Sequence, residues 1–130
     1  MRKVIFIFLL LALNIDFCCG EIMKKTIMID LDGVLNNYTC YKEEIPYIKN
    51  GAEEFIKTLS KNYELVLFTT RNQKQAFEWL QSNNLDKYFK NVTNVKTPAY
   101  IYLDDRALKF NGDYGKTLNE IENFNVYWKK

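Results

Sequence analysis

Thr26-Ile27-Met28-Ile29 runs without a break into Asp30-Leu31-Asp32-Gly33-Val34-Leu35, and the reading of the whole chain turns on this junction. The first four residues form a short, β-rich apolar run, the pattern of a strand buried on both faces. After it come a carboxylate, a second carboxylate two places on, and a glycine that permits a tight turn. A strand buried on both faces belongs to a parallel sheet covered by helices, so strands and helices should alternate downstream.

They do. Asn50 opens a helix, with Glu53 placed to close a capping box and Ala52, Phe55, Ile56 and Leu59 forming one apolar face. Tyr63 to Thr69 reads as a second strand. Asn72 to Ser82 reads as a second helix, with Ala76, Phe77 and Leu80 inward and Asn83-Asn84 ending it. A brief Val92–Val95 strand and the run Ala99–Leu103 follow, then a helix over Lys116–Phe124 that buries Leu118 and Ile121. The expected fold is α/β: a three-layer α/β/α sandwich around a central, mostly parallel sheet, with residues 23–130 as a single domain. Ligands of such sheets bind beyond the carboxyl ends of the strands.

Composition narrows the chemistry. The 130-residue chain has a formal net charge of +2, too small to argue for nucleic acid or an acidic membrane surface. It has no histidine, which excludes Ser–His and Cys–His nucleophile pairs and His-ligated zinc. Cys18 and Cys19 lie in a leader, leaving Cys40 alone, without a disulfide framework or a histidine to activate it. Residues 1–22 stand outside the fold. Met1-Arg2-Lys3 and the apolar run Val4–Leu13, too short for a transmembrane span, read as a signal-peptide-like leader over residues 1–20 and imply export. The alternative is an over-extended start, with translation from Met23 and a cytoplasmic protein.

Catalysis therefore rests on carboxylates, hydroxyls, lysine or a hard metal ion. Such groups stand at the strand ends: Asp30 and Asp32 after the first strand, Thr69-Thr70-Arg71 after the second, Lys96 before the last and Asp104-Asp105 after it. An all-oxygen ligand set with several carboxylates suits Mg²⁺, which binds phosphates and would offset their repulsion by carboxylates. Asp30 would then attack phosphorus while Asp32 serves the leaving oxygen. Gly33 permits close approach of backbone to ligand, and Thr69 and Lys96 would hold phosphate oxygens.

With these four elements in this order, the chain resembles the haloacid dehalogenase-like superfamily of aspartate-nucleophile phosphohydrolases. Asp30-Leu31-Asp32-Gly33-Val34 resembles its first motif and Leu65-Val66-Leu67-Phe68-Thr69 its second. Lys96-Thr97-Pro98-Ala99 and Tyr102-Leu103-Asp104-Asp105-Arg106-Ala107 resemble the third and fourth. The resemblance implies a Mg²⁺-dependent phosphomonoester hydrolase working through an aspartyl phosphate, or a phosphotransferase or phosphomutase sharing that intermediate. It implies Asp30 as nucleophile and Asp32 as acid/base. The metal would be held by Asp30, the main-chain carbonyl of Asp32, and Asp104. Asp105 would support the metal's water shell or orient Lys96, and Thr70 competes with Thr69 for the phosphate. Many relatives carry a cap domain. Here Asn36–Lys49 gives only a flap, so the expected form is capless, with an open site that a second copy of the chain could shield.

Each element has a plainer reading. Asp-x-Asp-Gly also marks Asx turns, and Asp104-Asp105 also suits a solvated turn. Arg71 suits a substrate contact or a surface salt bridge equally. Tyr38, Tyr41 and Tyr47 of the flap suit either a substrate ring or a core edge. A catalytically silent Mg²⁺- or phosphate-binding module is the competing function, and retention of both Asp30 and Asp32 argues against it. The substrate implied is a phosphorylated molecule of unspecified identity.

Overall fold

The chain is described by a computed structural model covering residues 23–129, so the leader reading lies outside the described residues. The strand beginning the decisive junction is β1 (Lys25–Asp30). It pairs in parallel along its full length with β2 (Tyr63–Phe68), and on its other side with β4 (Ile101–Leu103). β3 (Phe89–Thr93) pairs in parallel with β2, giving the order β3-β2-β1-β4. Helices α1 (Ala52–Leu59) and α2 (Gln73–Ser82) link the first three strands, and α3 (Tyr114–Glu122) follows β4. The expected α/β architecture with a parallel sheet is observed.

The core forms because strand residues two apart share a face. Ile27 and Ile29 of β1 and Leu65 and Leu67 of β2 pack with Ala52 and Ile56 of α1 and Ala76 and Leu80 of α2. Fully burying one aliphatic side chain of this size stabilises by about 1.5–3 kcal/mol, so this layer fixes where the strand ends stand.

Several local expectations are corrected. Phe55 and Phe77 are each 43% exposed. Each lies one residue from a buried position, Ile56 and Ala76, and one residue turns the helix by about 100°. The capping box does not form. The N-cap is Gly51 at φ 85°, one residue after Asn50, and no side chain caps it. Asn72 does cap α2, accepting from the main-chain N–H groups of Lys74 and Gln75. Leu118 and Ile121 of α3 are 64% and 57% exposed rather than buried. The sheet face bearing Met28 is met instead by the β3–β4 connection: Thr97 Oγ1 lies 3.6 Å from Met28 Sδ, and the Tyr102 hydroxyl donates to the Thr97 carbonyl at 2.6 Å. The flap is pinned by an antiparallel bridge between Asn36 and Ile48. No described helix is long and apolar enough to cross a membrane.

Candidate active site

Parallel pairing brings the acidic residues together. Ile29 is in register with Leu103, so Asp30 at the end of β1 and Asp104 just past β4 emerge side by side. One carboxylate oxygen from each of Asp30, Asp104 and Asp105 lies within 4.8 Å of the other two. The cluster opens on a cleft of about 390 Å³ that Asp32, Tyr38, Tyr41, Thr70, Arg71 and Arg106 also line. A separate hollow of about 310 Å³ between α2 and β3, lined by Phe77, Phe89 and Val92, holds no carboxylate. The chemistry belongs to the acidic cleft.

The Asp30 carboxyl is pushed up to about 7, first by burial and then by Asp104, against the lowering effect of the Leu31 N–H; Asp105 and Asp32 raise it further. Three crowded carboxylates with uncompensated charge and all-oxygen donors are the setting in which a hard divalent cation is held.

Asp32 stands apart from this cluster. Its Oδ2 accepts from Arg71 Nε at 2.6 Å and its Oδ1 from Asn36 Nδ2 at 2.8 Å. Arg71 does form an ion pair, but a buried one with Asp32 rather than a surface one: its side chain is only 5% exposed. Arg71 Nη1 donates to the flap carbonyls of Lys42 at 2.7 Å and Glu43 at 3.4 Å, and its main-chain N–H donates to Thr69 Oγ1. Among the described residues Nη2 is buried without a hydrogen-bond partner, a costly position for a charged donor unless a ligand or water meets it.

The other expected residues divide. Thr69 is buried beneath the rim, whereas Thr70 is exposed and lines the cleft. Lys96 is not brought to the cleft: the β3–β4 connection carries it to the other sheet face, with Nζ 4.4 Å from the centre of the Tyr102 ring. Tyr38 and Tyr41 line the cleft, while Tyr47 is 87% exposed on the flap.

Asn36 was not foreseen. It is fully buried, with Oδ1 accepting from the Gly33 N–H at 3.1 Å while Nδ2 holds Asp32. The main-chain bonds from Leu35 and Asn36 to the Leu31 carbonyl curl this loop back under Asp32. A polar residue four places after the second aspartate was the available signal.

A profile of the NLI interacting factor-like phosphatase family matches residues 25–126. The chain belongs to that family. It is therefore a phosphatase of the haloacid dehalogenase-like fold, and phosphoester hydrolysis is its activity. No curated protein matches the sequence. Among solved structures, a conserved protein from Bacteroides thetaiotaomicron is similar, with a TM-score of 0.55 and 23% identity over 77% of this chain and 91% of that one. At that identity the likeness speaks for the fold.

In this phosphatase Gly33 has two reasons to lack a side chain. Its φ is +81°, and a Cβ would meet Asp105 Oδ2 at 2.5 Å and Trp128 Nε1 at 2.8 Å. Gly33→Ala should therefore cost more than the ~1–2 kcal/mol of the left-handed backbone alone, because Asp105 must also move. Urea unfolding checks this. A loss below about 0.5 kcal/mol, within the ordinary range for an innocuous surface change, would contradict the close packing.

Proposed function

We propose that this phosphatase hydrolyses phosphomonoesters through an aspartyl phosphate on Asp30, with Asp32 as acid/base and Mg²⁺ as the metal. The observation that carries the reading is the separation of two aspartates only two residues apart. Asp30 joins the acidic cluster, while Asp32 is held away from it by Arg71 and Asn36. A module that only bound phosphate would have no use for the second arrangement.

Asp30, the main-chain carbonyl of Asp32, and Asp104 would hold the ion, with Asp105 beside them. Bound Mg²⁺ supplies the positive charge that lets a carboxylate and a phosphate dianion approach. An oxygen of Asp30 attacks phosphorus as the bond to the leaving oxygen breaks, and Asp32 delivers the proton that this oxygen needs. Water then attacks the phosphoryl group, Asp32 takes the water's proton, and Asp30 leaves as a free carboxylate with inorganic phosphate as product. Thr70 offers its hydroxyl to a phosphate oxygen from the cleft wall, while Thr69, buried beneath the rim and accepting the Arg71 N–H, would serve the phosphate only if its own O–H turned toward the cleft. Lys96 would serve the phosphate only by leaving the Tyr102 ring. The same intermediate would support phosphotransfer, with the choice between water and a second hydroxyl as acceptor separating the two.

Release of phosphate from a panel of sugar phosphates, nucleotides and phosphopeptides tests the reading. Activity should require Mg²⁺, persist with Mn²⁺, and vanish in EDTA. Calcium should inhibit, because its looser, higher coordination would draw both Asp30 oxygens onto the ion. Full turnover in chelator would overturn the metal assignment.

A further inference from the structure

After α3 the chain returns to the catalytic rim. Val126 is buried, and the Tyr127 hydroxyl, which accepts from Lys49 Nζ, donates to the main-chain carbonyl of Gly33. Trp128 reaches further: its indole N–H donates to Asp105 Oδ2. The ring is held edge-on to Tyr38, with centroids 5.2 Å apart, and the Arg106 guanidinium lies 5.4 Å from its centre. The space that Gly33 leaves open is the space in which this indole and carboxylate meet. The family match ends at residue 126, so Trp128 lies beyond it.

We propose that Trp128 is a positioning residue that fixes Asp105 for divalent-cation binding at the acidic cluster. The inference rests on the metal reading above. Without a partner, Asp105 would rotate away from Asp30 and Asp104, since ionised carboxylates whose oxygens lie within 4.8 Å of one another repel. An indole N–H is a donor only and carries no charge. It can lock one oxygen of Asp105 without neutralising the cluster, whereas a lysine or arginine there would compete with the cation. Partners of this kind, which orient a metal's ligands, typically change metal affinity or activity by about 10–100-fold when removed.

Trp128→Phe keeps a ring against Tyr38 and loses the N–H. Calorimetric titration of the substrate-free protein with Mg²⁺ should show binding weakened by about 10–100-fold. Turnover at saturating Mg²⁺ should recover most of the wild-type rate, a split that general loss of structure would not produce. A second readout leaves Trp128 in place. The chain has two tryptophans, and Trp79 donates to the Pro46 carbonyl on the flap. In Trp79→Phe the emission comes from Trp128 alone, and it should change with the Mg²⁺ titration seen by calorimetry. Unchanged affinity in Trp128→Phe, or flat Trp128 emission while Mg²⁺ binds, would overturn the role of Trp128 and leave the metal reading intact. No Mg²⁺ binding to the wild-type protein would overturn both.

Discussion

Asp30→Asn should abolish turnover of every phosphomonoester and, in metal-free buffer, make the protein more stable at neutral pH. The first effect follows from replacing the attacking oxygen. The loss should approach the whole enzymatic acceleration, typically ~10⁶-fold or more. The second follows from electrostatics. The Asp30 carboxyl has an ordinary value of 3.8 and is raised to about 7 in the fold, chiefly by burial and then by Asp104. The folded protein therefore binds this proton more tightly than the unfolded chain does. The associated stability is present below about pH 4 and is lost as pH rises through about 7. The loss is on the order of 4 kcal/mol when complete, for a group mostly screened from solvent. Asparagine stays neutral and avoids it. Urea unfolding in EDTA from pH 4 to 8 should show wild-type stability falling across this window, and the variant overtaking it. Parallel curves for the two proteins would show that Asp30 is not the crowded carboxylate described here.

Asp32→Asn should give a different signature, because Asp32 has one task in each half of the reaction. Protonating the leaving oxygen matters greatly for an alkoxide and little for p-nitrophenolate, already a good leaving group. Taking a proton from water matters whatever the first substrate was. General acid–base help is typically worth ~10²–10⁴-fold. With p-nitrophenyl phosphate the variant should release one rapid burst of p-nitrophenol and then turn over slowly. Alkyl phosphates should give almost no burst. Asparagine can keep an acceptor oxygen toward Arg71 Nε, so the flap contacts made through Arg71 need not be lost with the carboxylate. Equal losses on both substrates, without a burst, would show that Asp32 is misassigned.

The residues legible in the sequence were those whose position follows from a strand ending. β1 and β2 are short apolar runs, and the groups just past them had to reach one rim once the sheet was parallel. Asp104 and Asp105 arrived there for the same reason. What the sequence did not show depends on contacts between distant segments. Trp128 meets Asp105 across 23 residues, and Tyr127 meets Gly33 across 94. Nothing local marks an indole as a partner for a carboxylate. Lys96 failed to reach the cleft because β4 lies on the far side of β1 from β3, so the chain between them must cross the sheet. That crossing carries Lys96 onto Tyr102. Apolar spacing likewise misplaced Phe55, Phe77, Leu118 and Ile121: periodicity marks a face but not whether a neighbour covers it.

Covalent trapping tests the role of Asp30 most directly. Asp32→Asn protein mixed with p-nitrophenyl phosphate and Mg²⁺, quenched in acid during the slow phase and digested, should carry one phosphoryl group on Asp30. Hydroxylamine should remove it, as expected for an acyl phosphate. A phosphoryl group on any other residue, or a p-nitrophenol burst with no labelled peptide, would contradict nucleophilic catalysis by Asp30.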